Sequence, residues 1–126
     1  MKQQIKTKSA PKPIGPYSQA TIYKDLCFIS GQIGINHQTN ELKIASIEEE
    51  TEMIMKNISN ILSENNLTTD NIIKTTIYMT DLAKFERVNT VYANFFKKTY
   101  PARETVQVSA LPMNVNIEIS VIAGLK

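Results

Sequence analysis

Val115-Asn-Ile-Glu-Ile-Ser-Val-Ile-Ala123 alternates apolar and polar side chains with a period of two residues, which is typical of a strand with two different faces. Its apolar side chains are expected to point into a core, and Glu118 is expected on the opposite, polar face. The preceding segment, residues 103–109, alternates in the same way and has Arg103 and Thr105 on its polar side. The sequence therefore predicts a sheet that is covered on one face.

The link between these two segments is short, so we expect them to form a hairpin across residues 110–113. In that pairing Thr105 faces Glu118, and Arg103 lies diagonal to Glu118 at a Cα separation of roughly 7–8 Å. A guanidinium can hold a carboxylate ligand through two hydrogen bonds, and a glutamate nearby can handle a proton or a water molecule. The same pair could be a solvated surface ion pair, and the geometry alone favours that interpretation.

Two helices are expected to cover the apolar face of the sheet. The first begins at the capping box Ser46–Glu49 and ends near Asn65, and the second follows Asp81 and ends before Pro101. Their apolar stripes recur at helical spacing, with Ile47, Thr51, Ile54, Ile58, Ile61 and Leu62 in the first and Phe85, Val88, Tyr92, Phe95 and Phe96 in the second. The element order is βββαβαββ, which predicts an α+β fold with a mixed sheet and both helices on one face. Arg103 and Glu118 are expected on the face that the helices leave bare.

The composition favours one domain over residues 1–126 and disfavours several functional classes. The chain has 14 Lys and Arg against 12 Asp and Glu, and its net charge of +2 is scattered, which is unlike a dedicated nucleic-acid binder. Cys27 is the only cysteine and His37 the only histidine, so we expect no disulfide and no metal site. No apolar signal segment or membrane-spanning stretch is present, so we expect a cytoplasmic protein.

The chain resembles the reactive intermediate deaminase family, and especially its RidA-type members, over essentially its whole length. The motifs that carry the resemblance are Gly15-Pro-Tyr-Ser-Gln-Ala20, Phe28-Ile-Ser-Gly-Gln-Ile-Gly34, Val88-Asn-Thr-Val-Tyr92, Phe95-Phe96, Pro101-Ala-Arg103, Leu111-Pro112 and Ile117-Glu-Ile119. Their order and spacing are specific, although each motif is short. The resemblance implies a chorismate-mutase-like fold of the bacillus type and a homotrimer with active sites in the clefts between subunits.

The resemblance also implies an activity: hydrolysis of 2-iminobutanoate, 2-iminopropanoate and enamines such as 2-aminoacrylate to 2-keto acids and ammonia, without cofactor or metal. By this resemblance Arg103 matches the arginine that clamps the substrate carboxylate, and Glu118 matches the acid that positions or activates water. The pocket residues that it implies are Tyr17, Ser30, Gly31, Asn89 and Thr105. Thr105 stands where many family members carry a cysteine. We expect activity to persist because the hydrolysis needs no covalent nucleophile.

Two other functions remain open at this point. The same cleft could sense a 2-keto acid or an amino-acid metabolite without turnover, with the trimer regulating a partner. RNA cleavage, claimed for some members of the family, is the least favoured, because the basic charge is weak and no His/Lys constellation suggests phosphodiester chemistry.

Overall fold

The structure is a computed structural model that describes residues 1–126. Its elements in chain order are β1 (Gln3–Ile5), β2 (Ala20–Tyr23), β3 (Leu26–Gln32), β4 (Ile35–Asn36), β5 (Glu41–Leu42), α1 (Ile47–Ser63), β6 (Ile72–Met79), α2 (Phe85–Ala93), β7 (Ala102–Gln107) and β8 (Ile117–Gly124). The predicted α+β class and the order βββαβαββ are confirmed, and the short hairpin of β4 and β5 is added between the third strand and the first helix.

Six strands form one mixed sheet in the order β1-β2-β3-β8-β6-β7. The predicted hairpin between residues 103–109 and 115–123 is wrong, because β6 lies between β7 and β8. β7 pairs with β6 in parallel, and α2 provides the crossover connection that a parallel pair requires. The short link after β7 therefore joins two strands that are not neighbours.

Both helices pack on the same face of the sheet, as predicted. Ser46 accepts a hydrogen bond from the Glu49 N–H at 3.1 Å and so caps α1. The apolar side of β8 and the fully buried Cys27 belong to one core with the inward side chains of both helices. No helix combines the length and the apolar character needed to cross a bilayer.

The second helix is shorter than predicted and ends at Ala93. The N–H groups of Phe95 and Phe96 bond to carbonyls three residues earlier, and the Phe95 carbonyl accepts a hydrogen bond from the Thr69 hydroxyl. These turns replace the last predicted turns of helix. Phe95 and Phe96 nevertheless pack against the core, as their place in the apolar stripe predicts.

The opposite face of the sheet is covered by neither helix and is mixed in character. Phe28 is 39% exposed and Val106 is 41% exposed. On the same face Lys74 forms an ion pair with Glu104 at 3.0 Å. A bare face with apolar side chains among charged ones can be a surface or an interface between subunits.

Candidate active site

Arg103 lies beside the second helix, at the edge of the sheet. Its backbone pairs with Thr75 of β6, so its side chain shares the helix-covered face. The guanidinium carbon lies 5.1 Å from the ring centre of Tyr92 and 5.5 Å from that of Phe85. None of the ion pairs in the chain includes Arg103. The result is a cation that is flanked by two aromatic rings and has no acidic partner.

A cavity of about 330 Å³ opens beside this guanidinium, and we call it the Arg103 cavity. It is lined by Asn89, Tyr92, Ala93, Tyr100, Pro101 and Arg103. Asn89 reaches it because it lies four residues after Phe85 and three before Tyr92, on one side of the helix. An unpaired guanidinium and a side-chain amide between apolar walls suit a small planar carboxylate.

Thr105 follows on the same side of β7 as Arg103. Its hydroxyl oxygen is buried and has no hydrogen-bond partner. Thr105 does not line the Arg103 cavity, which places this predicted pocket residue next to the cavity rather than on its wall. A ligand or subunit that reached this oxygen would satisfy a group that is costly to leave unpaired.

Glu118 lies in a second, narrower depression of about 50 Å³, which we call the Glu118 cleft. Tyr17 and Gly31 line the same cleft, together with the loop formed by residues 11–14. Burial raises the pKa of the Glu118 carboxyl above its ordinary value. A carboxyl whose pKa lies closer to neutrality is better suited to proton transfer.

Gly31 forms the floor under the Glu118 carboxylate. The register of β3 against β8 shifts between Ile29 and Gln32, so Gly31 lies in an irregular stretch of the strand. A Cβ atom at this position would lie 2.8 Å from the carboxyl carbon of Glu118, and nearer still to one of its oxygens. Gly31 is therefore required by the close approach of a side chain from the neighbouring strand.

Tyr17 and Ser30 differ in how they relate to this cleft. The ring of Tyr17 lines it and is 46% exposed, and the hydroxyl accepts a hydrogen bond from the Ile14 N–H at 3.2 Å. Ser30 donates its hydroxyl to the Ser18 carbonyl at 2.6 Å. In this chain Ser30 therefore holds the loop that carries Tyr17 against β3.

The prediction that Arg103 and Glu118 lie close together on one face of the sheet is wrong within one chain. Arg103 pairs with Thr75 and Glu118 pairs with Tyr78, three residues further along β6. Side chains three residues apart on a strand point to opposite faces, so Arg103 and Glu118 lie on opposite sides of the sheet. Two strand spacings and three residues separate their Cα atoms by roughly 14 Å. Each side chain thus belongs to a separate half of a candidate site.

Three structural contributions were missed in the sequence. Phe85 and Tyr92 were assigned only to the core stripe of the second helix, yet both also flank Arg103. Their spacing with Asn89 was the signal that could have linked them to the cavity. The buried Glu50, for which the sequence pattern predicted no such role, accepts hydrogen bonds at 2.8 Å from the N–H and the side-chain amide of Asn116, and so fixes the chain entering β8. No three His, Cys, Asp or Glu side chains lie together as a metal site.

Comparison with known proteins identifies relatives over nearly the whole chain. Residues 7–125 match the family described as Endoribonuclease L-PSP. The chloroplastic Reactive Intermediate Deaminase A of Arabidopsis thaliana is 43% identical over 124 residues, which cover 98% of this chain and 66% of that protein. The crystal structure of RidA from an Antarctic Psychrobacter is 34% identical with a TM-score of 0.93, and covers 97% of this chain and 98% of that one. E. coli TdcF, crystallised with bound serine, is 38% identical with a TM-score of 0.93 and the same two coverages.

Proposed function

Since this chain belongs to the reactive intermediate deaminase family, matched as Endoribonuclease L-PSP over residues 7–125, we propose that it is a deaminase of small 2-imino acids. Its substrates are 2-iminopropanoate, 2-iminobutanoate and their enamine forms such as 2-aminoacrylate, and its products are the 2-keto acid and ammonia. The observation that carries the proposal is the Arg103 guanidinium, which has no acidic partner and lines a cavity with Asn89.

In this proposal Arg103 binds the substrate carboxylate. A guanidinium holds a carboxylate through two parallel hydrogen bonds, which fix the plane of the ligand as well as its position. The flanking rings of Phe85 and Tyr92 leave the N–H groups free, because the cation contacts ring faces rather than acceptor atoms. Asn89 adds a donor and an acceptor on the neighbouring wall.

Glu118 supplies the proton transfer. A water molecule adds to the electrophilic imine carbon, and the Glu118 carboxylate accepts its proton. This proton passes to the imine nitrogen and gives a carbinolamine. Glu118 then relays the hydroxyl proton to the amino group, the C–N bond breaks, and ammonia leaves as the carbonyl forms. A raised pKa makes the Glu118 carboxylate a stronger base for water than an exposed glutamate.

A complete site requires two subunits, because Arg103 and Glu118 lie on opposite faces of one chain. We infer a homotrimer of the chorismate-mutase type, in which the Arg103 cavity of one subunit meets the Glu118 cleft of the next. Asn89 and Thr105 then accompany Arg103, while Tyr17, Ser30 and Gly31 accompany Glu118. The uncovered sheet face, with Phe28 39% and Val106 41% exposed, is the surface that we assign to subunit packing.

A coupled assay tests the activity. A serine dehydratase generates 2-aminoacrylate, and pyruvate formation is followed with and without this protein. The chain has two arginines, so Arg103→Lys and Arg87→Lys form a matched pair. Arg87 binds Glu48 on the surface at 2.7 Å, and its replacement should leave the acceleration intact.

Arg103→Lys should lose most of the acceleration, since lysine keeps the charge but loses the two-pronged geometry. Equal rates in the two variants would contradict the carboxylate role of Arg103. A wild-type protein that binds 2-oxobutanoate tightly and does not accelerate pyruvate formation would instead support a metabolite sensor.

A further inference from the structure

We propose that Tyr92 and Thr75 position the Arg103 guanidinium, and we call these three residues the Arg103 clamp. Neither Tyr92 nor Thr75 would have to touch the reacting atoms. Both would act by limiting the directions in which the cation can point. The effect on hydrolysis rests on the proposed function, whereas the position of the guanidinium does not.

Each of the three clamp residues contacts the other two. Thr75 of β6 pairs with Arg103 of β7 in the parallel register. The Tyr92 hydroxyl donates a hydrogen bond to the Thr75 hydroxyl oxygen at 2.8 Å. The ring of Tyr92 then extends back to the guanidinium, 5.1 Å from the ring centre. The ring that faces the cation is therefore anchored to the strand next to the cation's own strand.

Thr75 is a polar residue at a core position. The packing of the sheet does not require a hydroxyl group there. It is fully buried on the same side of β6 as Ile77 and Met79, where an apolar side chain would be expected. Its side chain takes part in the hydrogen bond from Tyr92. A buried tyrosine hydroxyl needs a partner, and Thr75 provides it.

The second ring beside Arg103 has no comparable anchor. Phe85 lies 5.5 Å from the guanidinium carbon and has no polar atom that could fix its orientation. Burial raises the pKa of Tyr92, against the opposing effects of the Thr75 hydrogen bond and the Arg103 charge, so the hydroxyl stays a donor at neutral pH. Tyr92 is thus the ring that can define the orientation of the guanidinium.

Nuclear magnetic resonance tests the position directly, without substrate. The chain contains two arginines, so a ¹⁵N-labelled sample has two Nε–Hε signals, and Arg87 serves as the internal reference. Ring currents from Tyr92 should displace the Arg103 signal. In folded Tyr92→Leu the Arg103 signal should move and the Arg87 signal should not.

Kinetics test the consequence. Tyr92→Leu should raise KM, and the Kd for 2-oxobutanoate, by about tenfold with a smaller change in kcat, since a misdirected guanidinium weakens carboxylate binding. Tyr92→Phe keeps the ring and Thr75→Val keeps the volume, so each should raise KM only about two- to fivefold. Thr51→Val is the matched control, because Thr51 is also fully buried but bonds to the Ile47 carbonyl inside the first helix.

A merely structural role for the clamp would lower the melting temperature of these variants without moving KM, and without moving the Arg103 signal in Tyr92→Phe and Thr75→Val, which both keep an aromatic ring at position 92. That result would overturn the proposal. If Tyr92→Leu does not fold, Tyr92→Phe and Thr75→Val decide the question, and an unmoved Arg103 signal in both overturns it. Absence of hydrolysis in the wild type would count against the proposed function only, because the NMR measurement needs no turnover.

Discussion

The Arg103 cavity and the Glu118 cleft lie against the same six-stranded sheet but differ in nearly every physical property. The first is about 330 Å³ in volume, cationic and lined by the aromatic rings of Tyr92 and Tyr100. The second is about 50 Å³ in volume and holds a carboxylate over a glycine floor. One region can bind a small anion, and the other can move a proton.

The division between opposite faces means that binding and chemistry can be disturbed separately. A change near Arg103 should alter substrate affinity, and a change near Glu118 should alter the rate of the bound complex. In the proposed trimer, each chain carries two half-sites that belong to two different complete sites.

Glu118→Gln is expected to have the largest effect. The amide keeps the size of the side chain but cannot accept a proton from water, so kcat should fall by about 10²–10⁴. The Kd for 2-oxobutanoate, measured by calorimetry, should stay nearly unchanged because Arg103 is untouched. A loss of affinity without a loss of kcat would reverse the roles that we assign to the two regions.

Mixing two inactive variants is expected to raise pyruvate formation above the uncatalysed background. In trimers refolded from equal amounts of Arg103→Ala and Glu118→Gln, about a quarter of the interfaces should combine an intact Arg103 cavity with an intact Glu118 cleft. The pyruvate assay should therefore recover about a quarter of the wild-type rate. Mixing Arg103→Ala with the double variant is the control, because no interface in that mixture has both groups.

No recovery in the first mixture, with trimers formed, would place both groups of a working site in one chain. That result would contradict the proposal that the Arg103 cavity and the Glu118 cleft of one site come from two different subunits.

Gly31→Ala is expected to have an intermediate effect. The new methyl group would displace the Glu118 carboxyl group, whose carbon would otherwise lie only 2.8 Å from it. Displacing a catalytic group by about 1 Å can cost up to about 10²-fold, so we expect kcat to fall by about tenfold or more. Gly124→Ala, at the end of the same strand as Glu118, is the control because its nearest contact would be 3.7 Å. Equal kcat in both variants would show that Glu118 tolerates displacement.

The pH dependence of stability is expected to show the smallest effect. The folded-state pKa of Glu118 is raised by burial, so its contribution to stability is present below the unfolded pKa and lost as pH rises through the folded pKa. The melting temperature of Glu118→Gln relative to wild type should therefore increase between about pH 4 and about pH 7.

The pKa of Glu104, on the uncovered face, is shifted in the opposite direction from that of Glu118. Hydrogen bonds from Thr76 and Lys74 lower its pKa, so its contribution is present above the unfolded pKa and lost as pH falls. Glu104→Gln should therefore lose melting temperature relative to wild type as pH rises to the unfolded pKa of about 4.3, and the difference should stay constant above it. Parallel pH trends for the two variants would contradict the environments described for these carboxyl groups.

Local patterns predicted the elements well because their causes are local. The cap at Ser46 and the apolar stripe of the first helix depend on residues within a few turns, and both are present. The alternation of β8 also predicted its faces, since Ile117 and Ile119 are fully buried while Glu118 lies opposite. The family resemblance named residues of both regions from short motifs.

Strand pairing could not be predicted in the same way. A period of two shows which side chains share a face but not which strand lies next to them, and β6 entered between β7 and β8 through a crossover. On an edge strand the apolar side need not face the core: Val106 is 41% exposed, while Arg103 is accommodated under the helix by aromatic rings. The prediction therefore gave Arg103 the wrong face, and the split between the half-sites followed only from the register of β6.

Thr105 and Cys27 together have a consequence for oxidative chemistry. With threonine at the position beside Arg103, the chain keeps a single thiol, and Cys27 is fully buried in the core. Burial also raises the pKa of that thiol, which keeps the reactive thiolate scarce at neutral pH. Alkylating reagents and peroxides that inactivate exposed cysteines should thus find no sulfhydryl target in the folded subunit.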